Sequence, residues 1–324
     1  MLIRFSSIGD IVLTTPIIRC LKQQLYGVEL HFLTKETNKT ILSGNPYIDK
    51  LHYLQSSLGQ TIKYIKEAQF DLIIDLHNNL RSRLISLFCG VKIIRFNKIN
   101  IAKWLMVNFK INVLPNKHIV DRYFEAIKAL SIKNDRKGLD FFIEPAHQYE
   151  HPFLNEPYIA IAVGAKHFTK CIPPEKLIYI VKKIPQRFVL LGDKNDMLSA
   201  QIINKQFPKK TLNLCGKINL QQSASVIKNA KAVITGDTAL MHIAAAFNKP
   251  VFSVWGNTIP QFGMYSYLFK NDKKLTINDL HIYENNNISC RPCSKIGFSK
   301  CPKKHFKCML GINYSKLVED MNLI

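Results

Sequence analysis

Short apolar runs alternate along the chain with longer segments in which apolar residues recur at helical spacing, and this alternation limits the possible folds most strongly. Strands that are joined through helices pair in parallel, so the pattern predicts an α/β protein with helices on both faces of parallel sheets. Strands are predicted at residues 2–5, 28–33, 72–76, 91–96, 158–163, 188–191, 211–214, 232–235 and 251–254. Helices are predicted at residues 11–25, 57–68, 81–88, 118–131, 174–184, 197–207, 220–230, 238–247 and 315–322.

The alternation is interrupted once, which predicts two doubly wound domains. Turn-forming residues, prolines and scattered charges fill residues 133–157. We expect an N-terminal domain at residues 1–140, a linker at 141–157 and a C-terminal domain at 158–324. Each domain then has the usual size of ~150 residues. The segment after residue 256 is predicted to be mostly loop, apart from its last helix. Ligands of such folds bind beyond the carboxyl ends of the strands, so the residues that follow each strand are the candidates for a site.

The net charge of +22 indicates a polyanionic partner such as nucleic acid, anionic lipid or a phosphorylated substrate. A general compositional bias toward lysine is the alternative. Eight Lys and Arg residues and no acid lie between Asp75 and Asp121, and seven lie without an acid between Glu284 and Glu319. Compositional bias alone would not leave two long stretches without acidic residues, so we favour an anion-facing surface. No stretch reaches 18 apolar residues, and the amino terminus lacks the layout of a signal peptide.

The first motif, directly after the first predicted strand, is Ser6-Ser7-Ile8-Gly9-Asp10. Gly9 permits a tight turn and close approach to the backbone. Asp10 opens the following helix, where it is either an N-cap residue or a functional carboxylate. A single glycine does not make a dinucleotide-binding GxGxxG loop, which disfavours a nicotinamide or flavin enzyme.

Two further motifs follow strands of the second domain. Residues 164–173 form a loop containing Lys166, His167 and Lys170, in which a lysine can neutralise phosphate. The turn Gly236-Asp237-Thr238 lies between a strand and a helix that begins near Ala239, and the amides of such a helix start suit a phosphate. The alternatives are an exposed polar loop, a cap without a ligand and, for His242 on the helix, a packing role.

A cysteine-rich segment lies near the carboxyl terminus. It contains a C-x2-C pair, two later cysteines and a histidine: Cys290, Cys293, Cys301, His305 and Cys308. The second cysteine pair does not have C-x2-C spacing, so the match to a zinc site is partial. Reduced cysteines that hold a loop in place are the alternative, and the sequence leaves both open.

Taken together, these motifs resemble glycosyltransferase family 9, the bacterial heptosyltransferases of the lipopolysaccharide inner core. The resemblance rests on residues 3–16, Asp75-Leu76-His77 with Arg81-Ser82, Gly164-Ala165 with Lys170, and residues 236–246. It implies a GT-B fold, in which two Rossmann-like domains face each other across a cleft. It further implies an inverting transfer of heptose from ADP-heptose to Kdo-lipid A or a core oligosaccharide, in the cytoplasm and without a cofactor or metal.

The resemblance assigns roles to individual residues. Asp10 becomes the catalytic base. The donor sugar and diphosphate are assigned to Gly9, Lys170, Gly236, Asp237, Thr238, Ala239 and His242. The family commonly has glycine where this chain has Ala239, whose methyl group narrows the approach to phosphate. Asp193 or Asp196 is expected to hold the donor ribose. On the acceptor side we expect Arg81, Arg83, His118 and Arg122.

The acid-free stretch of the first domain suits an anionic membrane face, because Trp104-Leu105-Met106 lies among its cations. We therefore expect peripheral contact with the inner face of the cytoplasmic membrane. One alternative is a GT-B enzyme that uses another nucleotide sugar. A basic nucleic-acid-binding protein is the other, but recognition motifs for nucleic acid are missing from the sequence, so no nucleic-acid partner is expected.

Overall fold

The first half of the protein is a five-stranded parallel sheet flanked by helices. The structure is a computed structural model that describes residues 1–323; Ile324, the last residue of the predicted C-terminal domain, lies outside the described residues. The strands are β1 (Leu2–Ile3), β2 (His31–Thr34), β3 (Lys50–Tyr53), β4 (Leu72–Asp75) and β5 (Lys92–Arg95). The helices are α1 (Ile8–Val12), α2 (Thr15–Gln24), α3 (Lys39–Leu42), α4 (Leu58–Glu67), α5 (Leu80–Phe88), α6 (Asn100–Phe109) and α7 (Ile119–Ala126).

The second half contains a six-stranded parallel sheet and a small antiparallel hairpin. Its strands are β6 (Tyr158–Ala162), β7 (Arg187–Leu191), β8 (Thr211–Asn213), β9 (Ala232–Gly236), β10 (Val251–Trp255), β11 (Phe269–Lys270), β12 (Lys273–Lys274) and β13 (His281–Glu284). Its helices are α8 (Pro174–Lys183), α9 (Met197–Gln206), α10 (Leu220–Asn229), α11 (Ala239–Ala246), α12 (Lys307–Leu310) and α13 (Tyr314–Met321).

Both large sheets have the strand order of a Rossmann fold. The first runs β3-β2-β1-β4-β5 and the second runs β13-β10-β9-β6-β7-β8. In each sheet the order reverses between two central strands, β1 and β4 or β6 and β9, and a crevice opens beyond their carboxyl ends. The central strands β6, β9 and β10 are buried along their whole length, which explains their continuous apolar sequences. The predicted α/β class with two doubly wound parallel sheets is confirmed.

The helix predicted at residues 11–25 is divided into α1 and α2. Pro16 has no amide hydrogen to donate to the carbonyl of Val12, so a continuous helix would lose that bond. The hydroxyl of Thr15 donates to this carbonyl instead, with an O–O distance of 2.7 Å.

The sequence-based prediction missed several elements. Strand β3 is a polar edge strand with the sequence Lys-Leu-His-Tyr, which lacks an apolar run. Helix α6 lies on the surface and none of its residues is fully buried, so the core places little constraint on its sequence pattern. The prediction that residues after 256 form mostly loop and end in a helix is confirmed, but it missed β13, which pairs with β10 as the sixth strand of the second sheet.

The two halves contact each other where their sheets end. Helix α1, which follows β1, packs against α11, which follows β9. Gln221 on α10 donates from its side chain to the carbonyls of Thr40 and Phe142, and so ties the second half to the first half and to the predicted linker. The first sheet lies within residues 1–140 and the second within residues 158–323, while the exact domain boundaries stay a prediction. In the described part of the chain, none of the helices has the length and apolar character that crossing a bilayer requires.

Candidate active site

Asp10 is held in place by hydrogen bonds to both carboxylate oxygens. Ser7 is the N-cap residue of α1, so the N-cap alternative for Asp10 is wrong. Oδ2 of Asp10 accepts from the backbone amide of Ser7 at 2.9 Å and from its hydroxyl at 2.8 Å. Oδ1 lies 2.7 Å from Nη2 of Arg4. The guanidinium of Arg4 also donates to the carbonyls of Ser6 and Leu76, which fixes its position.

The environment of Asp10 keeps its carboxylate ionised. Burial would raise the pKa of Asp10, but the charge of Arg4 and the hydrogen bonds from Ser7 outweigh burial and lower this pKa from 3.8 to about 2. About a fifth of the side chain stays exposed, at 19%. A carboxylate offers about four lone-pair positions, so it can accept a further hydrogen bond from a substrate.

Gly9 is required because α1 approaches α11 closely. A Cβ atom at Gly9 would lie 2.7 Å from Cδ2 of His242 and 3.4 Å from Cα of Ala239. Real Cβ atoms essentially never show the first distance, so any side chain here would push the two halves apart. Gly9 therefore brings the Asp10 loop onto the first turns of α11.

His242 lies on α11 where this helix meets Gly9 of the first domain. Burial is the main cause that lowers its pKa to about 4, and the charges of Asp237, Asp10 and Lys170 all act on it. The ring is therefore neutral at physiological pH, and its Nδ1 has no hydrogen-bond partner among residues 1–323. Because His242 lies against Gly9 and on the helix that follows Asp237, the loops that carry Asp10 and Asp237 are neighbours across the two domains.

Lys170 and Asp237 form an ion pair at the carboxyl end of the second sheet. Nζ of Lys170 lies 2.6 Å from Oδ2 of Asp237, and the hydroxyl of Thr258 donates to the same oxygen at 2.9 Å. Gly236 permits this contact, because a Cβ atom there would lie 2.3 Å from the carbonyl oxygen of Lys170. The two motifs that follow β6 and β9 are thus joined into one unit.

The amino end of α11 has no side-chain cap. Thr238 is the N-cap residue but makes no capping hydrogen bond with its side chain, because its hydroxyl contacts that of Thr235 at 2.9 Å. The first amides of α11, beginning at Ala239, are therefore not capped by Thr238. These amides and the helix dipole favour negative charge beside Lys170.

Asp193 and Asp196 follow β7 and differ in exposure. The carboxylate of Asp196 accepts from the amide of Asp193 at 2.8 Å and lies over Gly164 and Gly192. A Cβ atom at Gly164 would lie only 1.8 Å from Oδ1 of Asp196, so this glycine is needed. Asp193 is exposed. Both stay predictions for the donor ribose, with Asp193 the more accessible carboxylate.

A pocket of about 560 Å³ lies beyond the carboxyl ends of β1, β2 and β4. Arg81 lines it together with Lys35 and His77, next to Ser6 of the Asp10 loop. Arg83 is exposed, and its Nε donates to the side chain of Asn78 at 2.7 Å. Of these two arginines, the structure therefore brings Arg81 to the pocket.

The other two predicted acceptor residues are buried at the junction of the domains. His118 is fully buried; its Nε2 lies 2.8 Å from the carbonyl oxygen of Tyr265, and its Nδ1 accepts from the amide of Val120. Both ring nitrogens are engaged, so the structure does not bring His118 to an acceptor. Arg122 donates from Nη2 to the carbonyl of Phe262 at 3.1 Å. Its Nε and Nη1 have no hydrogen-bond partner within residues 1–323.

Sequence reasoning did not assign Arg4, Lys98 or Lys103 to the surroundings of Asp10. Arg4 is a charged residue directly after an apolar strand, and this contrast was a signal that could have identified it. Lys98 and Lys103 both lie in the electrostatic field of Asp10 and Arg4. Burial is the main cause that lowers the pKa of Lys103 to about 8.

The cysteine-rich segment is held by an arginine. All eight cysteines are free thiols, and Cys290 Sγ lies 3.8 Å from Nε2 of His305. Across residues 1–323, no group of three or more His, Cys, Asp or Glu side chains is arranged to hold a metal ion. Arg291 is buried and donates to the carbonyls of Gly256 and Thr258 and to the carboxylate of Glu284. These bonds fix the beginning of the segment to the second sheet.

Comparison with known proteins identifies the family. The profile described as glycosyltransferase family 9 (heptosyltransferase) matches residues 58–296. The chain belongs to glycosyltransferase family 9. It is 23% identical over 286 residues to lipopolysaccharide heptosyltransferase 1 of Campylobacter coli, covering 79% of this chain and 83% of that protein. The predicted glycosyltransferase activity is confirmed, and the nucleic-acid-binding alternative is not favoured.

Solved structures of family 9 share the fold. The family 9 glycosyltransferase of Veillonella parvula aligns with a TM-score of 0.76 at 17% identity, covering 99% of this chain and 95% of that one. ADP-heptose lps heptosyltransferase II of Escherichia coli aligns with a TM-score of 0.70 at 19% identity, covering 99% and 97%. The GT-B fold that the resemblance implied is thereby confirmed.

Proposed function

We propose that this family 9 enzyme transfers a heptosyl group from ADP-heptose to an acidic acceptor of the lipopolysaccharide inner core, with inversion at the anomeric carbon. The observation that carries the proposal is the close approach of Gly9 to His242, which brings the loop of Asp10 onto the helix that follows the Lys170–Asp237 pair. A base and a cationic site for a leaving group thus border one crevice. The names of the related proteins support heptose as the sugar.

The chemistry assigns a task to each side of this crevice. The acceptor hydroxyl transfers its proton to Asp10 as its oxygen bonds to the anomeric carbon. The bond between that carbon and the diphosphate oxygen breaks on the opposite face, and ADP departs with the bonding electrons. Lys170 and the amides of α11 stabilise the negative charge that develops on the diphosphate. A single displacement of this kind inverts the configuration of the anomeric carbon.

The ion pair of Lys170 with Asp237 suggests how the donor is received. Before the donor binds, Asp237 neutralises Lys170 at 2.6 Å. The more highly charged diphosphate then competes for the lysine, while Asp237 and Thr258 stay beside it as acceptors for sugar hydroxyls. Asp237 thus keeps the lysine oriented without blocking the anion site.

Acceptor binding is proposed for the pocket that Arg81 and Lys35 line. Both cations are exposed, and Ser6, four residues before Asp10, also lines the pocket. Carboxylates and phosphates are the groups that such cations recognise. The rest of a large, anionic acceptor can then extend along the acid-free surface of the first domain.

Incubation with ADP-heptose and a short Kdo-bearing acceptor tests the function. We expect release of ADP that depends on the acceptor, and a product in which the anomeric configuration is inverted, as seen by NMR. ADP-glucose and UDP-glucose serve as comparison donors. Faster turnover of either comparison donor would contradict heptose as the transferred sugar.

The substitution Arg81→Ala is expected to raise the acceptor KM without changing the ADP-heptose KM.

Helix α6 is proposed to contact the inner face of the cytoplasmic membrane, where a lipid-linked acceptor would lie. Ile101, Trp104 and Phe109 are exposed on it, and the rings of Trp104 and Phe109 meet at 5.2 Å. Ile111 and Val113 continue this apolar surface. Cations and no acid flank it in the sequence, and a cation near an anionic bilayer contributes ~1 kcal/mol.

Sedimentation with vesicles containing phosphatidylglycerol tests this contact. The double variant Trp104→Ser, Phe109→Ser is expected to reduce the bound fraction several-fold, because it removes the apolar anchors and keeps the charge. The matched control is Leu198→Ser, Ile202→Ser, which changes exposed apolar residues on α9. Equal binding of wild type and the α6 variant would reject this membrane face.

A further inference from the structure

The cysteine-rich segment forms a strap between the donor loop and the acceptor side of the crevice. We define the strap as residues 290–298. At its carboxyl end, the amide of Phe298 donates to the hydroxyl of Thr169 at 2.8 Å, and the amide of Thr169 donates to the carbonyl of Phe298 at 3.2 Å. A Cβ atom at Gly297 would lie 2.7 Å from Cβ of His167, so the strap lies directly against the loop that carries Lys170.

The other end of the strap contacts the first domain. Lys110, which follows α6, donates from Nζ to the carbonyl of Pro292 at 2.6 Å. Met106 of α6 and Pro292 also line a common cavity of about 260 Å³. The amide of Cys293 donates to the carbonyl of Asn257, which anchors this part to the second domain. The strap therefore spans both domains, with Lys295 between its two contacts.

Lys103 and Arg122 of the first domain meet at Phe262. Nζ of Lys103 lies 5.7 Å from the centre of the Phe262 ring, and Arg122 donates to the Phe262 carbonyl. Arg122 is more than nine-tenths buried, yet its Nε and Nη1 lack a hydrogen-bond partner in the described part of the chain. A buried donor without a partner is costly, and a bound anion would satisfy it.

Lys295 follows Pro292, which lines the cavity of about 260 Å³ together with Met106 of α6 and with Gln261, the neighbour of Phe262. Burial is the larger cause that lowers the pKa of Lys98 and of Lys103, and the charge of Lys295 lowers both further. Of the acids, Asp10 faces both lysines and Asp75 faces Lys98, while Arg4 and Arg122 add positive charge. Within residues 1–323, Lys98, Lys103, Arg122 and Lys295 form no salt bridge.

We propose that Lys295, carried across the crevice by the strap, completes with Lys103 and Arg122 a binding site for an acidic group of the acceptor. The ligand is a carboxylate or a phosphate on the sugar that presents its hydroxyl to Asp10. The inference rests on the proposed function and extends it, because it makes the second domain a contributor to acceptor recognition.

The position of the cluster favours the acceptor over the donor diphosphate. Lys103 and Arg122 belong to the first domain, as Asp10 does. The diphosphate already has Lys170 and the amides of α11 on the other side. An acid on the acceptor, bound between Lys103 and Lys295, would also bridge the domains and so draw the strap toward α6.

The test compares Lys295→Ala with Lys300→Ala in the full-length enzyme. Both lysines are exposed, so neither change removes a buried contact, and Lys300 lies outside the strap. Acceptor kinetics are measured with ADP-heptose and three synthetic acceptors: one that carries both a carboxylate and a phosphate, one without the phosphate, and one in which the carboxylate is reduced to an alcohol. Loss of one charge-assisted contact is expected to raise the acceptor KM of Lys295→Ala about tenfold, with kcat nearly unchanged.

The pattern across acceptors decides the proposal. The increase in KM is expected to disappear with whichever acceptor lacks the group that Lys295 binds, and Lys300→Ala is expected to match wild type throughout. An increase of equal size with all three acceptors, or an increase in the ADP-heptose KM instead, would overturn the acceptor-acid site. Absence of turnover by the wild type with any acceptor would reject the proposed function and is distinguishable from both results.

Discussion

Asp10→Asn is expected to lower kcat by ~10²–10⁴-fold while the affinity for ADP-heptose stays close to wild type. The amide has the shape of the carboxylate and can still accept a hydrogen bond from Ser7, but it cannot take the proton of the acceptor hydroxyl. The donor site lies across the crevice, around Lys170 and Asp237, and does not depend on that proton. Turnover is followed by ADP release, and donor affinity by calorimetry.

Stability must be measured beside activity, because Asp10 also balances a buried cation. Arg4 is 6% exposed and Asp10 is its only salt-bridge partner among the described residues. Leaving a buried charge without its partner is strongly destabilising, so Asp10→Asn is expected to have a lower Tm. Asp71→Asn, at the exposed amino end of β4, is the matched control and should keep full turnover. Near-normal turnover by Asp10→Asn would rule out Asp10 as the base.

The low pKa of Asp10 also determines the expected pH dependence. Because its pKa lies at about 2, Asp10 is ionised at every pH above 4. Protonation of Asp10 therefore does not reduce kcat/KM between pH 5 and 8. The pKa of Asp10 is far below that of a free sugar hydroxyl, so Asp10 cannot remove the proton before the reaction begins. It accepts the proton once bonding to the anomeric carbon has made the hydroxyl acidic. An acid limb near pH 6 that disappears in Asp10→Asn would contradict this assignment.

Local sequence patterns identified most of the central strands and the site motifs that follow them. The site motifs after β1, β6 and β9 were recognisable because chemistry-bearing residues follow long buried runs, and a parallel sheet brings such positions to one edge. Strand β3 and helix α6 were missed because one is a polar edge strand and the other has no fully buried residue. Where burial is partial, the apolar periodicity that prediction depends on is weak.

The contacts between distant segments could not be predicted in the same way. His118 and Arg122 were both expected at the acceptor, but burial at the domain junction engages both ring nitrogens of His118 while it leaves two nitrogens of Arg122 without a partner. Lys295 lies 192 positions after Lys103, and only the path of the strap brings them together. Such pairs depend on how the two domains pack together, and local patterns in a single sequence do not predict that packing.

Lys170→Ala is expected to lower kcat by ~10²–10³-fold, since a preorganised charge aimed at the leaving group is lost. The KM for ADP-heptose should rise as well, because the substitution leaves the carboxylate of Asp237 beside the diphosphate with Thr258 as its remaining hydrogen-bond partner. ADP release at varied donor concentration gives both constants.

Two further variants separate the lost attraction from the new repulsion. Lys166→Ala removes an exposed lysine from the same loop and is expected to leave both constants unchanged. In Lys170→Ala, Asp237→Asn, the unpaired carboxylate is also removed, so donor binding should recover in part while kcat stays low. Because the neutral amide cannot stabilise the departing ADP, a recovery of kcat would show that Lys170 acts only by neutralising Asp237, and its role at the transition state would have to be abandoned.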